Sequence, residues 1–524
     1  MTNRHSIADL TLGARPAGRT CLTADWVLAH DGSGPILLKG GEVVIEGDRV
    51  IFAGHDFAGE VARRIDLGAA LISPGLIDLD ALSDLDTTIL GIDHFPPWKK
   101  GRVWPLSYVQ AGPYEMYSPE ELAFQKRFAF GQLLLNGITT AAPIASLFYR
   151  EWGETVAEFD AAAEAAGDLG LRVYLSPAYR SGGMVLHGPG DMRPHFDEER
   201  GLAGLADAVA YIRRQTGRHG GLVQGMLAPD RVETSTAGLL HATMRAAEDL
   251  DIKVRLHMAQ GAMEVQTVRA LHGTTAPAWM AREGLLSHRL IAAHGTHATD
   301  EDLALYARHG VSVVHCPLVS GRGGSSLNSF SRLRDMGITI AMGTDTAPAD
   351  MLMNLLVGLI TCRMNDGGPD RIACRDLFDA ATLGGARALG RDDLGVIRAG
   401  AKADIAVFRL DDPVMAPTVD PIAALVVGGR GKSPTRSSST GGCQCGRVKS
   451  RASTWPGPAC RRSSNTTALW RNTRPGPGTI PRSRRSFPQL SREGKPECLM
   501  PRRPAWKSET WSWSFPADTA PSPR

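Results

Sequence analysis

The sequence has few cysteines and no long apolar run. Four cysteines are scattered over the first 431 residues without the pairwise spacing of a structural zinc site: Cys21, Cys316, Cys362 and Cys374. We interpret them as buried thiols, which excludes a disulfide framework and suits a reducing compartment. The sequence contains no run of about 18 apolar residues, so it predicts no transmembrane helix. The N-terminus lacks the charged segment followed by an apolar segment that is typical of a signal peptide. We therefore expect a cytoplasmic protein with no membrane partner.

Acidic residues are scarce at the end of the chain. The 524 residues carry a net charge of +3, but residues 432–524 contain 18 Lys and Arg against 4 Asp and Glu, whereas residues 1–431 contain 40 against 51. Apolar periodicity also disappears in residues 432–524, so we predict that this basic segment is disordered or out of frame. Nucleic acid is not an expected partner, because the basic and aromatic residues of the segment show no repeated spacing.

A change of reading frame near residue 432 explains the altered composition. If Arg436 is encoded by CGN and Ser437–Ser439 by TCN, reading one nucleotide earlier gives three NTC codons, each of which encodes Val, Ile, Leu or Phe. The same shift permits Asp or Asn, and then Gly, around residues 440 and 441. An apolar triplet followed by Asp-Gly predicts a strand and a turn. We therefore hypothesise a frameshift, either in the gene or in its sequencing.

The first 431 residues alternate short apolar runs with amphipathic segments. Residues 20–70 and 395–410 alternate apolar and polar positions between turns, which is typical of small antiparallel β units. Between them, eight apolar runs separated by segments of helical period, one of them the helix Thr236–Leu250, are typical of an α/β fold with a (β/α)8 TIM-like barrel. The predicted strands are Leu71–Asp80, Ile138–Ile144, Arg172–Ala178, Leu222–Ala228, Lys253–Ala259, Leu290–Thr296, Val311–Pro317 and Thr339–Asp345.

Residues 74–86 read Pro-Gly-Leu-Ile-Asp-Leu-Asp-Ala-Leu-Ser-Asp-Leu-Asp. This phrase resembles the first metal-binding strand of the amidohydrolase superfamily, in which two histidines normally follow and hold a divalent metal. Asp80 and Leu82 occupy those two positions here. Asp80 retains an oxygen ligand, whereas Leu82 has no lone pair to offer. At least one usual ligand is therefore lost.

Three later strand ends resemble the deaminase and chlorohydrolase branch of that superfamily. The resemblance makes His257 a metal ligand, Gln260 the counterpart of a proton-carrying glutamate, His294 a group that polarises the water or the substrate, and Asp345 a metal ligand that accepts the water's proton. Gln260 departs from the pattern because an amide does not carry a transferable proton. Glu264, one helical turn further on, is an alternative carrier.

The resemblance also implies the domain organisation. Residues 395–408 resemble a phrase of the superfamily in which both chain ends build a small β-sandwich beside the barrel. We therefore expect a composite β-sandwich of residues 1–70 and 391–431, a hydrolase barrel over residues 71–390, and the basic segment over residues 432–524.

One catalytic divalent metal follows from the same resemblance. Asp80, His257 and Asp345 supply three ligands, and His294 lies nearby as a base or a fourth ligand. Zinc is the first expectation for this set, and manganese, iron and cobalt are alternatives. The competing interpretation is a metal-free barrel in which Asp80 merely caps its strand.

Aromatic residues form only 6% of the chain, and several of them lie in the segment after the first predicted strand. We assign Trp98, Trp104 and Tyr108 to substrate binding, because clustered aromatic rings favour a flat substrate. Arg180 follows the third strand and could hold a carbonyl or carboxylate in the same pocket. The alternatives are a loop packed on a partner subunit of a homo-oligomer and a plain surface arginine.

The sequence therefore predicts a metal-dependent hydrolase of carbon–nitrogen bonds other than peptide bonds. Its small-molecule substrate is a cyclic or aromatic amide, urea, carbamate or amidine. Water activated at the metal attacks, Asp345 takes the proton, and His294 stabilises the developing oxyanion. Two alternatives stay open: a catalytically inactive binding protein with the same barrel, and an aminohydrolase that deaminates a nucleobase-like ring.

Resequencing of codons 428–440 tests the frameshift hypothesis. We expect one missing nucleotide near codon 432, whose restoration gives an apolar strand and an Asp-Gly turn. An uninterrupted frame that related genes share contradicts the hypothesis.

Overall fold

The computed structural model describes residues 4–5, 17–84, 104–111, 117–144, 153–430 and 434–438. Trp98 and nearly all of the basic segment lie outside these residues, so the expectations for them stay predictions. No helix in the described ranges is both long and apolar enough to cross a membrane.

The strands are β1 (Arg4–His5), β2 (Thr20–Thr23), β3 (Trp26–His30), β4 (Pro35–Lys39), β5 (Glu42–Glu46), β6 (Arg49–Gly54), β7 (Arg63–Asp66), β8 (Ala70–Pro74), β9 (Leu76–Leu82), β10 (Trp104–Pro105), β11 (Ile138–Ile144), β12 (Arg172–Leu175), β13 (Gly182–Gly188), β14 (Asp191–Phe196), β15 (Val223–Gly225), β16 (Val254–Met258), β17 (Leu290–His294), β18 (Ser312–His315), β19 (Ile340–Met342), β20 (Ile405–Arg409) and β21 (Pro434–Ser438).

The helices are α1 (Leu106–Ala111), α2 (Pro119–Leu135), α3 (Val156–Leu169), α4 (Glu198–Gln215), α5 (Arg218–Gly221), α6 (Ala237–Asp249), α7 (Ala262–His272), α8 (Ala276–Arg282), α9 (Asp300–His309), α10 (Pro317–Arg322), α11 (Phe330–Asp335), α12 (Met351–Asp366), α13 (Cys374–Asp379), α14 (Gly385–Ala388) and α15 (Pro421–Gly428). Polar N-caps start several of them: Ser118, Thr155 and Thr299 each form a capping box with an acidic residue three positions later. The predicted helix Thr236–Leu250 is confirmed as α6, with Thr236 as its N-cap.

Eight parallel strands form a closed barrel in the order β9, β11, β12, β15, β16, β17, β18 and β19. Backbone pairing between Leu227, just past β15, and Val254 of β16 completes the circle. Each of the eight predicted strands overlaps one of these strands, and the predicted (β/α)8 barrel is confirmed. The strands run in chain order around the barrel, so the C-terminal ends of all eight meet at one mouth.

The prediction of Leu71–Asp80 as a single strand is wrong. β8 joins a flanking sheet, and β9 enters the barrel after a break at Gly75. A Cβ atom at Gly75 would lie 1.9 Å from Thr139 Oγ1, so only glycine lets the chain pass this close to β11. Periodicity could not reveal the break, because β8 is buried at every position and β9 at all but its last.

Two further sheets are built from the start of the chain and from residues beyond the barrel. One has the strand order β1, β7, β2, β5, β6, and the other has the order β21, β20, β8, β3, β4. Val43 of the first sheet and Val27, Ile72 and Val407 of the second share one buried apolar cluster. The expectation of purely antiparallel pairing in residues 20–70 is wrong, because β2 pairs in parallel with β7 and β3 with β8. The division into domains stays a prediction.

β21 lies at the edge of the second sheet. Its backbone pairs antiparallel with β20, with Arg436 opposite Val407 and Ser437 opposite Ala406. The shifted reading frame predicts an apolar strand at nearly the same residues. The frameshift itself stays a hypothesis.

Side chains alternate along the barrel strands and separate two apolar clusters. On β17, Leu290 and Ala292 pack with the surrounding helices, whereas Ile291 packs inside the barrel with Leu79. Leu389, just after α14, also belongs to the inner cluster. The barrel interior is therefore a packed core, and chemistry is confined to its mouth.

A buried ion pair joins the barrel to the segment that leads into β20. The guanidinium of Arg172 on β12 donates to both carboxylate oxygens of Asp404, over 2.7 and 3.1 Å. The Asp404 carbonyl also accepts the N–H of Gly75 at 2.8 Å, at the break between β8 and β9. Both charged side chains are almost completely buried. The pair thus fixes the position of the last strands relative to the first barrel strand.

Asp404→Asn tests the importance of this pair. The substitution leaves a buried guanidinium without its counter-charge, so we expect a loss of about 3–5 kcal/mol in the free energy of unfolding, measured by denaturant titration. The double variant Arg172→Met/Asp404→Leu should recover much of this loss, because it removes both charges.

A matched surface pair provides the control. Asp168 and Arg127 also form an ion pair, but about half of each side chain is exposed. Asp168→Asn should therefore leave the denaturation midpoint nearly unchanged. An equal effect of both substitutions would contradict a special role for Asp404.

Candidate active site

Four barrel strands end around the carboxylate of Asp80. Asp80 belongs to β9, and its oxygens lie 3.5 Å from the Nε2 atoms of His257 on β16 and His294 on β17. Asp345 follows β19, and its Oδ2 lies 3.5 Å from His294 Nε2. The structure therefore brings together Asp80, His257, His294 and Asp345 at the mouth where barrel enzymes place their chemistry.

A glycine makes the close packing around Asp80 possible. A Cβ atom at Gly343 would lie 2.7 Å from Asp80 Cβ and 2.8 Å from Cys316 Sγ. Without that atom, the Cys316 thiol approaches Asp80 Oδ2 to 3.6 Å. From the sequence, Cys316 is predicted only to be a buried thiol, and the structure confirms its burial. Its contact with Asp80 spans β19, which lies between β18 and β9 in the barrel and is followed by Gly343, which carries no side chain to separate them.

A backbone carbonyl fixes the tautomer of His257. Its Nδ1 lies 2.7 Å from the carbonyl oxygen of Asp230, which can only accept a hydrogen bond, so Nδ1 carries the proton. In the neutral ring, Nε2 then keeps its lone pair and faces Asp80. This is the usual orientation of a metal-binding histidine whose second nitrogen is held by the protein.

His294 and Asp345 adopt backbone conformations that non-glycine residues rarely take. Their φ angles are +78° and +43°. In a regular strand the side chain of His294 would lie on the same face as those of Leu290 and Ala292, which pack against the surrounding helices. The left-handed φ of His294 instead directs its side chain toward Asp80. Each such conformation costs about 1–3 kcal/mol and is typical of functional sites.

Asp80, His257 and His294 fit a divalent metal. Within the described residues, their ligand atoms lie within 4.8 Å of one another, and all three residues are buried. Zinc–nitrogen and zinc–oxygen bonds of about 2.1 Å place neighbouring donors of a tetrahedral site roughly 3.4 Å apart. Each imidazole lies 3.5 Å from one carboxylate oxygen, His257 from Oδ1 and His294 from Oδ2, which is close to that spacing. Asp345 adjoins this group through His294, and its role as a ligand stays a prediction.

Arg255 was not predicted and lies against the same carboxylate. Its Nη1 is 3.3 Å from Asp80 Oδ1 and donates to the carbonyl of Ala142 over 2.7 Å. Arg255 precedes His257 by two residues on β16, so both side chains share the inward face of the strand. This spacing is the signal that could have identified it, although a buried arginine in a strand is unusual.

Asp78 links the first and last barrel strands. Its carboxylate accepts hydrogen bonds from the Thr344 hydroxyl at 2.6 Å and from the Thr344 and Asp80 backbone N–H groups at 3.1 Å. Complete burial raises the pKa of Asp78 to about 6, against the effect of these hydrogen bonds. The aspartate of the Pro-Gly-x-x-Asp phrase is thus a structural bridge that holds Asp80 and Asp345 side by side.

Glu264 shapes the loop that contains Gln260. The Glu264 carboxylate accepts the backbone N–H of Ala259 at 2.5 Å and that of Gln260 at 2.6 Å, and Arg231 Nη2 lies 3.5 Å away. Ala259 has a φ of +55°, which these hydrogen bonds stabilise. Gln260 itself is half-buried. The catalytic assignment of Gln260 stays a prediction, and the contacts of Glu264 with Ala259, Gln260 and Arg231 are those of a residue that positions the end of β16.

Two of the predicted substrate residues lie together. The guanidinium of Arg180 stacks on Trp104, with Cζ 4.5 Å from the ring centroid, and its Nη1 lies 3.2 Å from Asp230 Oδ2. Arg180 is only 2% exposed, so the alternative of a plain surface arginine is wrong. Tyr108 lies half-buried on α1. The substrate-binding role of Trp104, Tyr108 and Arg180 stays a prediction.

A family model described as the amidohydrolase family matches residues 71–436. The chain belongs to the amidohydrolase family. Relatives of this amidohydrolase include two proteins named 5-methylthioadenosine/S-adenosylhomocysteine deaminase. That of Desulforudis audaxviator is 25% identical over 397 residues, which cover 74% of this chain and 85% of the relative. That of Moorella thermoacetica is 27% identical over 418 residues, which cover 76% and 88%.

Solved structures similar to this amidohydrolase include deaminases and chlorohydrolases. An adenosine deaminase from Xanthomonas campestris with bound zinc has a TM-score of 0.68 at 22% identity and covers 82% of this chain and 93% of its own. A variant of atrazine chlorohydrolase from Arthrobacter aurescens, complexed with zinc and atraton, has a TM-score of 0.67 at 25% identity and covers 82% and 95%. The predicted branch is confirmed, and these zinc proteins together with the Asp80 group support a divalent metal.

Glu264→Gln tests the placement of Glu264 in the site. Burial raises the pKa of this carboxyl from 4.5 to about 7. The folded protein therefore binds more protons here than the unfolded chain between these values, and stability falls as the pH rises through them. We expect the difference in Tm, wild type minus variant, to be largest near pH 5 and to decrease toward pH 7.5. Circular dichroism melting at four pH values measures it.

The exposed Glu248 on α6 offers a control at a neighbouring helix. Glu248→Gln should give a Tm difference that does not follow this trend. A difference for Glu264→Gln that grows with pH would contradict the inferred raised pKa.

Proposed function

We propose that this protein is a metal-dependent hydrolase that cleaves a carbon–nitrogen bond in a small cyclic or aromatic amide, urea, carbamate or amidine. The observation that carries the proposal is the convergence of Asp80, His257, His294 and Asp345 in a chain of the amidohydrolase family. Two imidazoles and two carboxylates in contact are the groups that metal-assisted hydrolysis requires.

Asp80, His257 and His294 hold the metal in this proposal, and Asp345 moves the proton. A bound divalent metal lowers the pKa of a coordinated water toward neutrality. The backbone N–H of Asp345 donates to the Asp80 carbonyl over 2.8 Å, which keeps the Asp345 carboxylate beside the ligand group. Asp345 accepts the proton of the attacking water and returns it to the leaving nitrogen. In this proposal His294 replaces Asp345 as the third ligand of the predicted set, and it does not act as the oxyanion stabiliser of the predicted mechanism.

We propose zinc as the metal. Two imidazole nitrogens and one carboxylate oxygen form a common catalytic zinc set. The similar adenosine deaminase and chlorohydrolase structures contain zinc. Manganese, iron and cobalt accept the same donors, and metal analysis of the purified protein distinguishes them.

Trp104 and Arg180 form a rigid pocket wall in this proposal. Asp230 connects this wall to the ligand group, because its carboxylate binds Arg180 while its carbonyl accepts the hydrogen bond of His257. A stacked aromatic wall beside the reacting centre favours a flat, cyclic substrate. A small molecule is therefore the proposed partner. A cytoplasmic address and a homo-oligomer remain predictions.

A second candidate function is deamination of a nucleobase-like ring. The names of the deaminase relatives favour it. Gln260 argues against it, since a deaminase must also protonate a ring nitrogen and the amide side chain at this position cannot do so. Release of ammonia from adenine-like nucleosides, and not from cyclic amides or ureas, would support this second function.

Metal analysis and two variants test the proposed function. We expect about one divalent ion per purified chain by elemental analysis, and His257→Ala should lose it because a ligand is removed. Asp345→Ala should keep the ion and lower hydrolysis of a panel of cyclic amides, ureas and amidines by about 10²–10⁴-fold, since it removes only the proton acceptor.

Asp168→Asn, on the distant surface pair, is the matched control for both measurements. Metal content well below one per chain, together with hydrolysis that Asp345→Ala leaves unchanged, contradicts the proposal. Absence of both metal and turnover would favour the inactive binding protein.

A further inference from the structure

Arg255 and His257 approach the same oxygen atom from neighbouring positions on β16. Arg255 Nη1 lies 3.3 Å from Asp80 Oδ1, and His257 Nε2 lies 3.5 Å from it. The Ala142 carbonyl accepts the other contact of Nη1 at 2.7 Å. A cationic side chain therefore lies directly beside a carboxylate that we assign to the metal.

The guanidinium cannot move away from this carboxylate into solvent. The Arg255 side chain is 3% exposed, and its Cα belongs to a central barrel strand. Within the part of the chain that the structure describes, Asp80 carries the only carboxylate within 4 Å of Arg255. Arg255 Nε has no hydrogen-bond partner in the same ranges. Because a buried charge is unfavourable unless it is paired, the position of Arg255 depends on Asp80.

Two cations would interact with the negative charge of Asp80. One is the Arg255 guanidinium, and the other is a metal bound by Asp80, His257 and His294. Screening between two buried cations is weak, so their repulsion opposes metal binding. In the metal-free protein, by contrast, the Arg255 guanidinium compensates the buried negative charge of Asp80 and thereby stabilises the mouth of the barrel. A histidine at residue 80 would offer no such charge to an arginine, so the exchange to aspartate is what makes this pairing favourable.

We infer that Arg255 is an internal cation that competes with the metal for Asp80. It stabilises the metal-free barrel and lowers the affinity of the site, so the metal is bound reversibly and occupancy follows its free concentration. This inference rests on the metal site of the proposed function, but it concerns how tightly that site holds its ion.

Zinc affinity and thermal stability of the full chain test the inference. Wild type and Arg255→Met are stripped with EDTA and titrated with zinc against a chromogenic chelator, and their Tm is measured in EDTA and in saturating zinc. Arg255→Met removes the charge at similar side-chain volume. We expect its zinc Kd to fall at least about tenfold, its Tm in EDTA to fall, and its zinc-dependent rise in Tm to increase.

Two further variants keep the test decisive. Arg255→Gln is neutral but retains a donor for the Ala142 carbonyl, and it should show the same gain in affinity if Arg255→Met fails to fold. Arg255→Lys retains the charge and should bind zinc nearly as weakly as wild type. Arg289→Met, which alters a partly exposed arginine before the start of β17, should leave the zinc Kd unchanged.

The outcomes separate the two proposals. Equal or weaker zinc binding by both neutral variants overturns the inference and leaves the proposed function intact, because Arg255 would then position Asp80 for the metal. Failure of wild type and all variants to bind zinc overturns both. A higher affinity of the neutral variants, without loss of Tm in EDTA, contradicts the stabilising half of the inference.

Discussion

The carboxylate of Asp80 organises the mouth of the barrel. Arg255, His257, His294 and Cys316 reach it from three neighbouring strands, and the backbone of Asp345 donates to its carbonyl. A fully buried carboxylate is stable only when cations and donors surround it. The ends of β16, β17 and β18 and the segment after β19 therefore meet around one buried charge, and their side chains compensate it.

Backbone strain at the strand ends shows how that arrangement is achieved. Ala259, His294 and Asp345 all lie in the left-handed region, and each follows or ends a barrel strand. Regular strands would send their side chains alternately inward and outward, and could not direct consecutive strand ends at a single point. The Glu264 carboxylate holds Ala259 in place by accepting the backbone N–H groups of Ala259 and Gln260, and Asp345 is held by the hydrogen bond from its backbone N–H to the Asp80 carbonyl.

Much of the fold and part of the site could be predicted from sequence. The barrel strands are short, apolar and separated by segments of helical period, so the pattern identified them. The motifs around His257 and His294 identified two of the side chains that meet at Asp80. The break between β8 and β9 at Gly75 could not be predicted from the sequence, because the residues on both sides of it are apolar and buried. Arg255 was missed because sequence patterns rank arginine as exposed, and its burial is explained only by a partner 175 positions away in the chain. The left-handed φ of His294 has no sequence signal, since glycine is absent there.

The position of the ion pair between Arg172 and Asp404 in the chain limits what a frameshift after residue 430 can change. Arg172 and Asp404 are both encoded upstream of the change in composition. Both residues are therefore present whichever reading frame follows, and their ion pair can attach β20 to the barrel. β21 lies outside β20 at the sheet edge. A lesion beyond codon 430 therefore leaves Asp80, His257, His294 and Asp345 encoded and, among the described residues, alters the edge strand β21, and a sheet edge that loses its pairing strand favours self-association.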